Sequence, residues 1–240
     1  PHQSVDTLLK TIDLCLEMQP DRIALFGYAH VPWMAKKQRL IDQAALPDTD
    51  ARLAQSQMAT SALANAGYVA IGLDHFARPE DPMAIAAKTG QLRRNFQGYT
   101  TDQAETMLGL GATSIGRTPS GYVQNLSETG AWARSVTAGE LPIGKGLVFQ
   151  GEDVLKGRVI EQLMCNGRVD LERESARAGA SADWYADQLG RIDQFETDGL
   201  ITREGGVITV TPKGAPVLRV IASLFDSYLT PSVKQHAVAV

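Results

Sequence analysis

Cysteine is almost missing from this chain. There are two among 240 residues, Cys15 and Cys165, far apart in sequence. Each reads as a small buried hydrophobe in a reducing compartment rather than as part of a disulfide framework. Histidine is scarce too, with four, and none stands in a metal-ligand spacing such as His-Glu-x-x-His. No apolar run approaches the ~20 residues needed to span a bilayer. Positive charge is not in excess either: 23 Lys and Arg stand against 27 Asp and Glu, a net charge of −4, so non-specific polyanion binding is not favoured. What is present is ordinary for a globular protein, 44% hydrophobic and 21% charged residues, enough for one large domain or one medium and one small one. Pro1-His2-Gln3-Ser4 runs straight into an amphipathic segment without a signal-peptide pattern, so the cytoplasm is the expected location.

Periodicity arranges the chain as an α/β fold. Residues 4–18 read as a helix, with Ser4 as N-cap and Val5, Leu8, Leu9, Ile12 and Leu16 on one face. Ile23-Ala24-Leu25-Phe26 reads as a buried strand ending in Gly27-Tyr28-Ala29-His30. A second helix fits 48–65 and stops at Gly67. A second buried strand, 68–73, then runs into Asp74-His75-Phe76. This order predicts parallel strands whose ligand site gathers at their carboxyl ends. Two parallel strands make neither a barrel nor a full sheet, and the first residue is proline. The chain therefore reads as the C-terminal part of a longer α/β protein. Further on, 80–90 reads as a helix, 95–101 as a loop, 106–116 as a turn and strand, 120–125 as a polar-aromatic loop and 129–138 as a helix.

Past Gly139 the character changes. A short extended run at 147–149 precedes helices over 152–165 and 181–198. A hairpin follows, with strands 200–202 and 207–210 around Gly205-Gly206. Thr211-Pro212 opens a last helix with Leu218, Ile221, Phe225 and Leu229 as its stripe. Together these predict a small winged-helix-like domain over 141–240, following an α/β portion over 1–140. The tail 234–240 is expected to fray.

The chemistry concentrates in 74–101, where Asp74-His75-Phe76-Ala77-Arg78-Pro79-Glu80-Asp81 and Arg94-Asn95-Phe96-Gln97-Gly98-Tyr99-Thr100-Thr101 fall. The stretch is too polar for core and too rich in Phe, Tyr, His and Arg for an idle loop. It reads as the floor of a site for a large, flat or anionic ligand, with Arg78 able to grip a carboxylate through a bidentate pair. An ion-pair network between loops would account for His30, Asp74, His75 and Arg78 equally well. Gly109-x-Gly111 is too short a glycine signal to assign a nucleoside site. Residues 139–146 nearly spell a phosphate-binding loop, but lack the final Ser or Thr and the preceding strand, and carry Pro142 inside. In 181–198, Gln188, Arg191 and Gln194 sit among Asp183, Asp187, Asp193, Glu196 and Asp198, a face that opposes nucleic-acid phosphates.

The two strings in 74–101, with Tyr28-Ala29-His30, resemble the oxygen-independent coproporphyrinogen III oxidases, a radical S-adenosylmethionine family. The resemblance runs from Pro1 to about Leu229. It implies the C-terminal part of a partial (β/α)6 barrel followed by the winged-helix-like domain. It also implies oxidative decarboxylation of two propionates of coproporphyrinogen III to vinyls, giving protoporphyrinogen IX in haem biosynthesis. The implied cofactors are S-adenosylmethionine and a 4Fe–4S cluster, and the implied partner is an electron-donor protein, with no nucleic acid and no membrane. Ala29 and Ile115 match positions lining a first S-adenosylmethionine pocket. Phe96 and Gln97 match positions around a second one, a pocket that belongs either to that cofactor or to substrate. His75, Arg78 and Arg94 are candidate partners for the substrate propionates by charge. The family's Cys-x-x-x-Cys-x-x-Cys cluster motif is absent from this chain, which is therefore expected to be inactive alone. The other reading is a non-catalytic winged-helix or haem-binding module derived from the enzyme.

Overall fold

The structure of the chain, a computed structural model, describes residues 1–181 and 183–229; the expected fraying tail 234–240 lies outside them. Helix α1 (Val5–Glu17) starts at a capping box, in which Ser4 Oγ accepts the Thr7 N–H and Thr7 Oγ1 accepts the Ser4 N–H. It is followed by β1 (Arg22–Ala24), α2 (Thr49–Asn65), β2 (Val69–Ile71), β3 (His75–Ala77) and α3 (Pro82–Thr89). Asp48 and Asp81 cap α2 and α3 through their carboxylates. Ile12, Ala59, Leu63, Tyr68 and Phe76 form the core that joins the two long helices to the first sheet.

That sheet corrects the expected topology. β1 and β2 run the same way, but β3 lies between them and is antiparallel to both. The reversal is set by Gly72 at φ +59°, a left-handed turn that glycine adopts without strain. A Cβ at Gly72 would also overlap the Tyr99 phenol ring. Asp74 and His75 thus sit at a tight turn rather than at an open strand end.

The regions expected to be loops at 95–101 and 120–125 are paired strands. β4 (Arg93–Asn95) and β5 (Gly98–Thr100) make a hairpin. β6 (Ile115–Thr118), β7 (Gly121–Asn125) and, after α4 (Thr129–Thr137), β8 (Ile143–Val148) make an antiparallel meander. Gly144, Lys145 and Gly146 lie in β8 and not in a loop before a helix, as expected once the phosphate-loop reading is set aside.

The remaining elements are α5 (Asp153–Asn166), β9 (Arg168–Asp170), α6 (Leu171–Ala178), α7 (Leu189–Thr197), β10 (Ile201–Glu204), β11 (Val207–Val210) and α8 (Leu218–Ala222). The strand order β10-β11-β9 puts a short strand beside the hairpin wing. Helix–strand–helix–helix–wing is the winged-helix order that the hairpin and flanking helices predicted. β9 and α6 were not foreseen. The helix expected over 181–198 is shorter, with a 3-10 turn at Ala186–Gln188 before α7. The last helix does not open at Pro212. Thr211 instead folds a turn, its hydroxyl donating to Gly199 O and accepting Gly214 N–H, and α8 begins at Leu218. Leu218, Ile221 and Phe225 are buried as their spacing required, in one core with Leu155, Val159, Leu163, Ile192, Ile201 and Ile208, whereas Leu229 is exposed. Among the described residues no helix is long and apolar enough to cross a membrane.

Candidate functional site

Two short hairpins and one helix enclose the main cleft. The turn Asn95–Gly98 is tight because Asn95 Oδ1 accepts the Gln97 N–H at 2.8 Å and Gly98 takes φ +130°. It presents Phe96, 60% exposed, at the cleft mouth. Phe96 meets Tyr122 edge to face at 5.3 Å, and Tyr122 meets Phe149 the same way at 5.1 Å. The three rings form an aromatic row along one wall. Further lining comes from a second wall, α5 (Val154, Gly157, Ile160, Met164) with Phe225–Tyr228. The cleft holds about 560 Å³, within the range of small-molecule sites.

Its charges are arranged unevenly. Arg93 Nε donates to Glu161 Oε1 at 2.8 Å, and this hydrogen bond holds the Arg93 pKa above its ordinary value against the opposing effect of burial. Asp153 accepts from the Tyr228 hydroxyl at 2.6 Å and from the Gln150 N–H at 2.9 Å. Those two donors hold its carboxyl below the usual range, the hydroxyl contributing most. Lys156 bridges Glu152 at 3.1 Å and the Ser227 hydroxyl at 3.0 Å. Arg94 lies over the Tyr99 ring, its guanidinium carbon 5.5 Å from the centroid, and Arg117 reaches the cleft from β6.

Beneath the hairpin, Tyr99 is buried and spans two cores. Its hydroxyl accepts the Leu73 N–H at 3.2 Å and donates to Met164 O at 3.0 Å. Burial pushes its pKa up. Edge to face with Tyr99, at 5.2 Å, stands His75. The His75 Nδ1 lies 2.7 Å from Asp74 Oδ1, and Asp74 Oδ2 accepts from Arg219 Nη2 at 3.0 Å. A carboxylate only accepts, so Nδ1 carries the His75 proton in this pair.

The structure brings Arg94 and Phe96 into the cleft, with Gln97 on the same hairpin tip. His75 is one ring behind them. Arg78 leaves the far end of β3, where its guanidinium lies 5.6 Å over the Tyr68 ring and donates to Gln19 O; it does not line the cleft. Ala29 is exposed in the segment after β1, its carbonyl accepting from Gln38 Nε2, and Ile115 opens β6. Neither lines the cleft. Sequence reasoning missed Arg117, Tyr122, Phe149 and Tyr228, which only nonlocal pairing assembles. The Arg-x-x-x-x-Tyr spacing of 117 and 122 across a two-residue turn was the available signal: the two are direct register partners.

In the winged-helix portion, Arg203 of the wing pairs with Asp193 at 2.8 Å and Glu196 at 3.4 Å on α7. The helix that would enter a nucleic-acid groove is therefore an acidic one that already holds the wing's arginine.

Residues 149–217 match the family model described as the HemN C-terminal domain. Along nearly its whole length the chain is similar to proteins named oxygen-independent coproporphyrinogen III oxidase. It is 45% identical over 240 residues to one from Bradyrhizobium diazoefficiens, 43% identical over 234 residues to one from Cereibacter sphaeroides, and 36% identical to one from Helicobacter pylori. These alignments take in 98% to 100% of this chain and 52% or 53% of each relative. The fold superposes on the C-terminal part of the Escherichia coli coproporphyrinogen III oxidase (HemN), a radical SAM enzyme, with a TM-score of 0.90 and 35% identity over 95% of this chain and 53% of that one. The chain thus spans about half the length of the relatives it matches.

The chain's own residues do not fit an iron–sulfur cluster. Such clusters are held by several cysteine thiolates. Here Cys15 is half-buried on α1, and Cys165 is buried in the core around Tyr99. Burial, with Glu161 adding to it, pushes the Cys165 thiol up to about 12. Among the described residues no three His, Cys, Asp or Glu side chains gather as a metal site.

Proposed function

We propose that this chain is the substrate-side, C-terminal part of an oxygen-independent coproporphyrinogen III oxidase. That enzyme converts two propionates of coproporphyrinogen III to vinyls with loss of CO₂, giving protoporphyrinogen IX. The observation that supports this most is the cleft, in which an aromatic row lies beside arginines in a space of about 560 Å³. A flat ring system with several carboxylates asks for that combination. Phe96, Tyr122 and Phe149 would meet the ring edge, arginines would orient the carboxylates, and the Phe225–Tyr228 wall would keep water off one side.

S-adenosylmethionine would be the radical source, and the cluster ligands would belong to the region outside this chain. Ala29 and Ile115 are proposed for a first S-adenosylmethionine, and Phe96 and Gln97 for a second or for substrate. Of His75, Arg78 and Arg94, the cleft favours Arg94 as the substrate-side group. The proposed division is 1–140 for the barrel portion and 141–240 for the winged-helix portion, in a cytoplasmic enzyme fed by an electron-donor protein.

The test joins the chain to the upstream half that its relatives possess and reconstitutes the cluster anaerobically. Coproporphyrinogen III, S-adenosylmethionine and a reductant are then supplied. Formation of protoporphyrinogen IX is expected. A protein that carries its cluster and yields no vinyl product overturns the proposal.

A further inference from the structure

Four cations line the cleft, and they fall into two kinds. Arg93 and Lys156 are committed, to Glu161 and to Glu152 with Ser227. Arg94 and Arg117 have no carboxylate or carbonyl partner for their guanidiniums among the described residues. The Arg94 Nε is buried without any acceptor. A buried donor in that state calls for an anion or a water to complete it.

The acids nearby are largely engaged elsewhere. Glu161 takes Arg93 and the Arg94 N–H, Asp153 takes Tyr228 and Gln150, Asp102 takes the Ala104 N–H, and Asp226 takes the Tyr228 N–H. Glu105 acts on Arg93. Arg94 is held in place by the Tyr99 ring, its direct register partner, and Arg117 stands opposite Tyr122 of the aromatic row.

We infer that Arg94 and Arg117 are specificity-determining anchors that grip the two propionates the reaction leaves intact, a reading that rests on the coproporphyrinogen assignment above. The ligand has four propionates and the cleft has two uncommitted guanidiniums. A carboxylate that departs as neutral CO₂ loses its negative charge on the way to the transition state. A guanidinium paired with it would stabilise the ground state more than the transition state and slow the reaction. The anchors therefore serve the carboxylates that keep their charge throughout.

Two stable porphyrins separate the possibilities. Coproporphyrin III has all four propionates, and mesoporphyrin IX has ethyl groups in place of the two that react. Each is titrated by fluorescence into the 240-residue chain and into its Arg94→Gln and Arg117→Gln variants, with Arg134→Gln on exposed α4 as a control for charge alone. Each cleft variant is expected to lose about tenfold or more in affinity for both porphyrins alike, as removal of a charge-assisted pair does. Arg→Lys at either position recovers part of the loss and replaces any Gln variant that fails to melt cooperatively. Loss of affinity for coproporphyrin III alone would mean the anchors hold the reacting propionates, and overturns the inference. So does unchanged affinity for both porphyrins in the variants. If the unaltered chain binds neither porphyrin, the inference falls together with the placement of substrate in this cleft. The vinyl-forming assay of the joined protein then decides the family function separately.

Discussion

Removing a single oxygen from Tyr99 should cost the fold about 2 kcal/mol and leave the proposed porphyrin binding intact. The hydroxyl serves two backbone groups at once. It accepts the Leu73 N–H at 3.2 Å and donates to the Met164 carbonyl at 3.0 Å, on a side chain only 7% exposed. Leaving a buried carbonyl without a donor costs about 1–3 kcal/mol. The Leu73 N–H bond is longer and Leu73 is only half-buried, so water replaces that partner at about 0.5–1 kcal/mol. Phenylalanine returns part of this by needing no desolvation of a hydroxyl. The net is about 2 kcal/mol. With a urea dependence of about 2–3 kcal/mol per M for a chain of this size, Tyr99→Phe should lower the unfolding midpoint by about 0.7–1 M at unchanged slope. The ring remains, so Arg94 keeps its seat and the affinity for coproporphyrin III should stay within about twofold. An unchanged midpoint would refute the bridging role of the hydroxyl. A tenfold loss of affinity would show that the hydroxyl, not the ring, positions Arg94.

Asp81 tests the helix cap. Its Oδ1 accepts the Met83 N–H at 2.7 Å, and both carboxylate oxygens take Arg22 Nε at 3.0 and 2.9 Å. Asp81→Ala should cost about 2 kcal/mol in chemical denaturation and Asp81→Asn, which keeps a capping oxygen, about half of that. Burial opposes ionisation of Asp81, but the Arg22 hydrogen bond and the Met83 N–H together hold its carboxyl below the ordinary value. Its stabilisation is therefore present above the unfolded pKa and lost as pH falls through the lower folded one, so the acid limb of a stability profile should be shallower in Asp81→Asn. At the alkaline end the Cys165 thiol, raised by burial from 9.0 to about 12, keeps its proton in the fold while the unfolded chain releases it. Stability should decline as pH rises from about 9 toward 12. Cys165→Ala should lose that part of the slope in thermal melts, and an unchanged slope would remove Cys165 as its source.

The helices were legible because their caps and stripes are local: Ser4 marks the first start, and Ile12, Leu218, Ile221 and Phe225 lie buried where their spacing put them. The wing was legible from Gly205-Gly206 between two β-branched runs. The first sheet was misread because β3 is only three residues long. Its pairing depends on Gly72 turning the chain back, which no periodicity announces. Arg93–Thr100 alternates charge and polarity too irregularly to look like strands, yet pairs residue for residue. Part of the cleft lining was visible for the same local reason: Arg94 and Phe96 stand in one string. Arg117, Tyr122, Phe149 and Tyr228 come from four separate segments, and only the meander and α5 bring them to the same cleft. Arg78 belonged to the visible string but left it in space, because β3 carries it to the Tyr68 end of the sheet.

The closing wall of the cleft has a consequence for the order of events during synthesis. Its arginines and aromatic row arise between Arg93 and Phe149, but Phe225–Tyr228 completes it, anchored by the buried Phe225 and tied to α5 through Tyr228 to Asp153 and Ser227 to Lys156. Contacts of such long sequence separation pay their loop-closure entropy last. A ribosome would have delivered more than two hundred residues of this chain before the wall begun by α5 was complete. The cleft is thus a late feature of the fold, left open on that side until the residues after Leu224 have docked.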